Sequence, residues 1–166
     1  MESWNVVPGF PKYVISPEGE IKHRKRNTVL KSRQNKQMFK MVTLMEDDTT
    51  QRTRSVALLV AQTYLPPPKN ETYNSIIHLD NDRSNCNANN LMWRPRWYAL
   101  LYRRMFSELP ANSSVMIEET GEIFGTLREA CVKYGLYDKH TYVDMRNGDP
   151  CFHYRYRFKR FEPHTV

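Results

Sequence analysis

The stretch from 76 to 93, IIHLDNDRSNCNANNLMW, constrains the fold of this chain more than any other. An apolar pair leads into His78, a loop rich in Asn and Asp follows, and an LMW segment returns the chain. Asn and Asp are favoured in such loops because their side chains bond nearby backbone groups and tolerate turn conformations. Pro95 then stands where a helix takes a proline in its first turn. The sequence therefore predicts strand, polar loop, strand and helix, with His78 ending the first strand.

This order of elements resembles the ββα-metal core of the HNH endonucleases, in particular the small phage-type homing endonucleases. The family pattern is a histidine preceded by Asp or Asn, an Asp two residues later, an Asn-rich loop and an Asn-Leu-x-Trp exit. The matching positions here are His78, Asp80, Asn85, Asn90, Leu91 and Trp93. The resemblance implies that His78 is the catalytic general base, which activates water if the protein is a nuclease.

Two further residues hold a divalent metal in that family, one directly before the histidine and one in the first turn of the next helix. The corresponding positions are Ile77 and about Ala99, and neither side chain can bind a metal. Asp80 and Asp82 are candidate substitutes, although the family acid at Asp80 and the Asn at Asn90 mostly brace the loop. The resemblance thus implies no cofactor, with Mg²⁺ or Mn²⁺ needed only if the site is active.

The charge balance points to a polyanionic partner. The 166 residues include 25 Lys and Arg against 18 Asp and Glu, a formal net charge of +7. A basic protein without a particular partner fits that sum equally well, so the placement of the charges decides more than their number. A chain of this length can bury one modest core or two to three small ones.

Cysteine usage and hydropathy bear on the compartment. The three cysteines are widely spaced and form no Cys-x-x-Cys pair, which indicates neither a zinc ribbon nor a disulfide framework. No apolar stretch approaches the roughly 18 residues of a membrane span, and the amino terminus lacks secretory features. We expect a cytoplasmic protein with no membrane partner, in a bacterial host cell if it is phage-encoded.

The amino-terminal part predicts a hairpin followed by a basic segment. The sequence Ser16-Pro17-Glu18-Gly19 predicts a tight turn between two short apolar runs. The region resembles the small module that precedes the nuclease core in many homing endonucleases, with matches at Trp4, Gly9, Phe10, Tyr13, Ser16 and Gly19. Residues 22–40 then carry eight cations and no acid. This pattern favours phosphate contact over a merely solvated loop.

The segments that follow predict packing elements. Residues 39–44 predict a strand, and Glu46-Asp47-Asp48 predicts the turn after it. Residues 54–64 have the apolar spacing of a helix that packs.

The carboxy-terminal part predicts a hairpin at 115–124 and two helices. Thr126 and Glu129 form a capping box for the first helix, Gly135 ends it, and Asp138 is expected to cap a second helix reaching Arg146. Residues 152–158, FHYRYRF, predict a final strand with aromatic side chains on one face and basic ones on the other. This order resembles the carboxy-terminal DNA-binding repeat of the same endonucleases, a helix-turn-helix.

The predicted fold class is α+β, a small multi-module chain. Its predicted parts are an amino-terminal β-hairpin module (1–48), an HNH-like ββα core (49–106), a linker (107–114) and a β-αα-β helix-turn-helix module (115–166). The predicted DNA contacts are Lys22, Arg24, Lys25, Arg26, Lys31, Arg33, Lys36, Arg94, Arg96, Arg103, Arg104, Lys139, His140, Arg146, Arg155 and Arg157.

Two functional hypotheses follow. Loss of both metal-ligand positions favours a protein that binds double-stranded DNA as a monomer without cleaving it, as a regulator or as a subunit of a larger nucleic-acid or transcription machine. The alternative is an active, metal-dependent, site-specific HNH endonuclease or nickase with His78 as its base. The DNA target and the biological process are not encoded in these patterns.

Overall fold

A computed structural model of the chain describes residues 4–46, 50–105, 114–151 and 155–161. The chain forms two compact units, Met1–Arg96 and Trp97–Val166. Within the described ranges there are four α-helices and several small antiparallel sheets, which confirms the α+β class. None of the helices in those ranges is long and apolar enough to cross a membrane. The predicted division of the chain at 48, 106 and 114 stays a prediction.

The first unit opens with a three-stranded antiparallel sheet. Its strands are β1 (Asn5–Val7), β2 (Phe10–Ile15) and β3 (Ile21–His23), in the order β1-β2-β3. The predicted turn joins β2 to β3, and the Gly19 amide donates to the Ser16 carbonyl over 3.0 Å. Gly19 has φ +85°, and a Cβ there would lie 3.0 Å from Cβ of Cys86 and 3.1 Å from the Val56 side chain. Only glycine meets both demands at this turn.

A second sheet leads into the first helix. It contains β4 (Arg33–Gln34), β5 (Lys40–Met45) and β6 (Gln51–Ser55), and α1 (Val56–Tyr64) follows directly. The strand predicted at 39–44 is confirmed as β5. The helix predicted from residue 54 begins at Val56 instead. Arg54 and Ser55 belong to β6, where Arg54 lies opposite Val42. Of the turn predicted after β5, Asp47 and Asp48 lie outside the described residues.

The segment around His78 has the predicted order. Strand β7 (Ser75–His78) pairs antiparallel with β8 (Leu91–Arg94), and His78 lies opposite Leu91. The polar loop between them ends in a short 3-10 helix, Ala88–Asn90. The Ala88 amide donates to the Pro17 carbonyl over 2.8 Å, which fixes this loop against the turn after β2.

One apolar core holds these elements of the first unit together. Buried residues come from both three-stranded sheets, from α1 and from the segment between β7 and β8. They include Ile15, Val42, Leu44, Leu59, Val60, Cys86 and Leu91. Two tyrosine hydroxyls form hydrogen bonds with backbone groups of strands that contribute to this core. The Tyr64 hydroxyl donates to the Ile15 carbonyl over 2.6 Å, and the Tyr13 hydroxyl accepts from the Met45 amide over 3.2 Å.

Helix α2 (Arg96–Met105) begins directly after Pro95, as predicted, and all but its first residue belong to the second unit. The remaining elements are β9 (Val115–Ile117), β10 (Ile123–Phe124), α3 (Leu127–Tyr134), α4 (Asp138–Asn147) and β11 (Phe158–Arg160). The sheet order is β10-β9-β11. The capping box of Thr126 and Glu129 is formed, and Gly135 ends α3 with φ +70°, both as predicted.

The second unit has its own core and two departures from the predicted elements. Its buried residues are Val115, Ile117, Leu127, Ala130, Cys131, Leu136, Cys151 and Phe158. Asp138 is the first residue of α4 rather than its cap, and its carboxylate pairs with Arg128 instead. The strand predicted at 152–158 is wrong over 155–157, because Arg155 has φ +53° and regular pairing begins at Phe158. Residues 152–154 lie outside the described ranges.

Candidate functional site

His78 lies at the end of β7 and is only 5 % exposed. The ring of Phe39, which immediately precedes β5, lies 6.2 Å from the imidazole, centroid to centroid. The backbone turns directly after His78, where the Asn81 amide donates to the His78 carbonyl over 2.9 Å and Asn81 has φ +62°. The histidine is therefore held at a sharp turn and beside an aromatic ring.

The loop after His78 is organised by the carboxylate of Asp80. Nδ2 of Asn90 donates to Oδ1 of Asp80 over 2.8 Å, and Nδ2 of Asn85 donates to Oδ2 over 2.7 Å. The Asp82 amide also donates to Oδ1 of Asp80 over 2.8 Å. In return, Oδ1 of Asn90 accepts from the Asp80 amide over 3.0 Å. Both carboxylate oxygens of Asp80 are thus engaged within the loop.

These contacts shift the acid strength of the loop carboxylates. Partial burial of Asp80 opposes its ionisation, but the hydrogen bonds from Asn90 and Asn85 outweigh that effect, so the pKa of Asp80 lies below its ordinary value. The hydrogen bonds from the hydroxyl and amide of Ser84 likewise hold the pKa of Asp82 below its ordinary value. Both acids are charged at neutral pH, and both are committed to turns of their own loop.

The side chains near His78 in the sequence include one apolar residue and two acids that are hydrogen-bonded within their own loop. The side chain before the histidine is Ile77, which is apolar and 3 % exposed, and it lies opposite Met92 in the ribbon. Asp80 accepts hydrogen bonds from Asn85 and Asn90 on its two oxygens, and Oδ1 of Asp82 accepts from the Ser84 hydroxyl over 2.7 Å. Among the described residues, no group of three His, Cys, Asp or Glu side chains is arranged to hold a metal ion. Mg²⁺ usually takes one or two protein carboxylates at such sites.

Arg83 connects the His78 loop to the basic segment. Nη1 of Arg83 donates to the Gln37 carbonyl over 2.7 Å, and its guanidinium carbon lies 4.7 Å from the centroid of the Phe39 ring. The tip between β4 and β5 is therefore fixed against the loop that follows His78. The sequence patterns did not single out Arg83, because its partners lie more than forty positions away.

Most predicted DNA contacts in the first unit are exposed. Those on the outer surface are Arg24, Lys25, Arg26, Lys31, Arg33 and Lys36. Lys22 is half-buried, with its ammonium 4.0 Å from the centroid of the Trp4 ring. Arg94 is only 7 % exposed, so a phosphate contact would require its side chain to leave this position. Two further exposed cations, Arg52 and Arg54, lie on β6. Arg54 was assigned to the start of a helix, and Arg52 forms an ion pair with Glu46 over 2.9 Å.

The second unit presents cations on two helices. On α2, Tyr98, Tyr102 and Met105 are buried, while the exposed residues are Arg96, Trp97, Leu100, Arg103 and Arg104. On α4, Asp138 and Thr141 are buried, while the exposed residues are Lys139, His140, Val143, Arg146 and Asn147. Each helix therefore turns a basic face outward.

The two predicted contacts near the carboxy terminus differ. Arg155 is exposed at its left-handed turn. The backbone amide of Arg157 donates to Glu119 over 2.8 Å, and its guanidinium lies 3.8 Å from the same carboxylate. Arg157 is thus partly neutralised where it stands.

The chain is similar in sequence to a known motif and to several endonucleases. The NUMOD4 motif matches residues 2–45. An uncharacterized HNH endonuclease of Acanthamoeba polyphaga mimivirus is 30% identical over 145 residues, 82% of this chain and 41% of that protein. The H-N-H endonuclease F-TflII of Escherichia phage T5 is 29% identical over 94 residues, 55% of this chain and 47% of that protein. The chain thus spans less than half the length of these relatives.

A solved structure of the HNH homing endonuclease I-HmuI has the same fold. Its TM-score is 0.56, and the match covers 96% of this chain and 98% of that chain at 20% sequence identity. The chain is thus similar in sequence to HNH endonucleases. The correspondence of His78, Asp80 and Asn90 to the pattern of that family stays a prediction, and the residue directly before His78 is the buried Ile77.

Proposed function

We propose that this chain binds duplex DNA and acts through binding rather than through metal-dependent cleavage. The single observation that carries the proposal is that the residue directly before His78, Ile77, is apolar and buried. Hydrolysis of a phosphodiester needs a base and also a cation that stabilises the charge developing on the phosphate. The family histidine remains, and the side chain beside it is a hydrocarbon.

DNA binding is supported by the placement of charge. Exposed cations lie on the basic segment and β6 of the first unit, and on α2 and α4 of the second. Phosphate contacts of this kind supply most of the sequence-independent affinity of DNA-binding proteins. The relatives are HNH endonucleases, and the I-HmuI structure is described as one of DNA binding and cleavage. A monomer on DNA, in the cytoplasm of a host cell, is the form we propose.

The second candidate function is a metal-dependent HNH endonuclease or nickase. It is favoured by the survival of His78 at the end of β7 and of the loop contacts that position it. Asp82, four residues after His78, is a candidate ligand, since its hydrogen bonds are confined to a short turn with Ser84. A regulatory role, or a role within a larger nucleic-acid machine, belongs with the first proposal, since neither requires cleavage.

One paired experiment separates the two functions. Binding to duplex DNA is measured by fluorescence anisotropy in EDTA, and nicking of supercoiled plasmid is measured in Mg²⁺ and in Mn²⁺. We expect binding in EDTA and no nicking with either metal. Nicking by the parent protein that disappears in His78→Ala would establish the nuclease and refute the proposal. Absence of DNA binding in EDTA would refute the proposed metal-independent binding of duplex DNA.

A repaired variant tests the same point from the opposite direction. Ile77→Asp with Ala99→Asn introduces oxygen donors at the two positions where the family pattern has metal ligands. Because Ile77 is buried, an unpaired carboxylate there should lower the melting temperature, and a bound cation should restore it. We expect Mn²⁺ to raise the melting temperature of the double variant and to leave the parent unchanged. The matched control is Ile76→Asp with Ala99→Asn, which we expect Mn²⁺ not to rescue.

A further inference from the structure

A cleft of about 600 Å³ opens beside β2 and β3. Its lining residues are Pro11, Lys12, His23, Arg24, Lys25 and Arg26. Four of the six are cations and none is an acid. A concave surface with this lining attracts an anion, because it concentrates positive potential where water is partly excluded.

The cations of the cleft are presented on a fixed backbone. The His23 amide donates to the Thr28 carbonyl over 2.9 Å, and the Asn27 amide donates to the His23 carbonyl over 2.8 Å. The Arg24 amide donates to the Lys12 carbonyl over 2.8 Å, which joins the loop to β2. A loop closed in this way loses little further backbone entropy when a ligand binds.

His23 has its two ring nitrogens in different roles. Nδ1 accepts from the backbone amide of Lys25 over 3.2 Å and from that of Arg26 over 3.3 Å. Because a nitrogen that accepts a hydrogen bond carries no proton, the ring proton of this tautomer is on Nε2. The Tyr13 ring meets the imidazole edge-on, with centroids 5.4 Å apart, and limits its rotation. His23 thus has its N–H donor on Nε2 and belongs to the lining of a cleft whose other polar side chains are cations.

We propose that this cleft binds a phosphodiester group of the DNA backbone, with Nε2 of His23 donating to a non-bridging oxygen. Lys12 and the three consecutive cations from Arg24 to Arg26 neutralise the charge of that phosphate and its neighbour. Cations together with an uncharged N–H donor are the combination that fixes a nucleic-acid strand in register. The inference rests on the proposed DNA binding and adds a specific contact to it.

The test uses a variant that removes the donor function of Nε2 and keeps the acceptor function of Nδ1. In His23→Asn, the side-chain oxygen can still accept from the amides two and three residues ahead, as in Asx turns, but the Nε2 donor is gone. His23→Ala removes both functions. Amide exchange at Lys25 and Arg26 reports on the loop itself. We expect protection of these amides to persist in the Asn variant and to fall in the Ala variant.

Binding is then measured on a short duplex recovered by selection from a random pool. Because a hydrogen bond to a charged group is lost, we expect His23→Asn to bind about tenfold more weakly. The slope of log K against log salt should stay unchanged, since no charge is removed. Phosphate-ethylation interference should lose its signal at one or two adjacent phosphates. Arg24→Gln should lose the same signal and reduce the slope by about 0.9.

The matched control is Lys31→Gln, an exposed cation outside the cleft. It should reduce the salt slope by about the same amount as Arg24→Gln and leave the interference at the cleft phosphates intact. Parent-like affinity and an unchanged interference pattern in His23→Asn would show that His23 only holds the loop, and would overturn this inference alone. Failure of the parent protein to bind duplex DNA would overturn the proposed function and this inference together.

Discussion

The carboxylate of Asp80 shows how one residue can determine what its neighbours do. Its two oxygens accept hydrogen bonds from Asn85, Asn90 and the Asp82 amide, and these contacts close the loop after His78. A cation that used Asp80 as a ligand would have to displace amide donors already held at 2.7 to 2.8 Å. The recorded contacts of Asp80 thus brace the loop.

Asp80→Asn should therefore destabilise the folded protein. We expect a loss of about 1–2 kcal/mol at neutral pH, the lower part of the range for hydrogen bonds to a charged group, because Asp80 is exposed. The lowered pKa means that the parent has this stabilisation in full above the unfolded pKa of about 3.9 and loses it as pH falls through the folded value. Urea unfolding over a range of acidic to neutral pH measures both effects.

Asp82→Asn is the matched control for this experiment. Its hydrogen bonds stay within a turn of three residues, to the amide and hydroxyl of Ser84, so its loss should cost less than that of Asp80. An Asp80→Asn variant with the stability and acid dependence of the parent would show that the loop is held by other contacts.

The sequence predicted the roles of Asp80 and Asn90 but not the surroundings of His78. Asp80 and Asn90 belong to one short loop, whose composition is itself the signal of a turn. The Phe39 ring lies beside His78, and the Arg83 guanidinium lies over the Phe39 ring. These contacts join segments far apart in the sequence, so no local pattern records them.

At the scale of elements, the pair Arg128 and Asp138 sets how α3 and α4 meet. Nη2 of Arg128 lies 3.1 Å from Oδ2 of Asp138, and these side chains are 18% and 9% exposed. The same nitrogen donates to the Met105 carbonyl at the end of α2. One guanidinium thus joins three helices of the second unit, and the angle of α4 depends on it.

Arg128→Met should destabilise the second unit by about 3 kcal/mol, because it leaves the Asp138 carboxylate buried without its cation. Lys133→Met on the same helix is the matched control. Lys133 pairs with Glu122 at a more exposed position, with side chains 54% and 33% exposed, and its loss should cost under about 1 kcal/mol. Urea unfolding compares the two. Equal losses would show that the buried pair has no special role in holding α4.

Helix α4 has one exposed face, which we expect to enter a groove of the DNA. The exposed side chains recur at the spacing of a helix, and the apolar Val143 lies between Lys139 and Arg146. An apolar side chain among cations suits the methyl group of a thymine, while an arginine suits guanine. We expect Val143→Ala and Arg146→Gln each to relax the preference at a single base pair, by about 1–3 kcal/mol.

Competition between a selected duplex and random DNA measures this preference. Arg24→Gln is the control, because a phosphate contact should weaken all sequences about equally. Equal loss on selected and random DNA for all three variants would show that α4 does not read bases.

Elements with local signals were predicted best. The turn that ends in Gly19 and the capping box of Thr126 and Glu129 are each encoded within four residues, and both are confirmed. Residues 54 and 55 and the final strand were assigned wrongly, because strand pairing depends on a distant partner. Arg54 is extended because it lies opposite Val42, and β11 begins where Phe158 meets Ile117.

At the scale of the whole molecule, two small cores take the place of a single large one. Each unit buries its own apolar residues, and each carries exposed cations on the elements that its core supports. The net charge is unevenly distributed, because the first unit has 15 Lys and Arg against 9 Asp and Glu, whereas the second has 10 against 9. A chain built in this way can contact phosphates through both units at once, and the salt dependence of binding reports whether it does.

Neutralising cations in each unit should have additive effects on that salt dependence. The variant Lys31→Gln with Arg33→Gln alters the first unit, and Arg103→Gln with Arg104→Gln alters the second. Because each lost phosphate contact reduces the slope of log K against log salt by about 0.9, each pair should reduce it by about 1.8, and the combined variant by about 3.6. The control is Lys159→Gln. Lys159 is exposed but lies 3.4 Å from Glu118, so its loss should change the slope little. A slope that responds to only one pair would show that a single unit binds DNA, and would contradict binding through both.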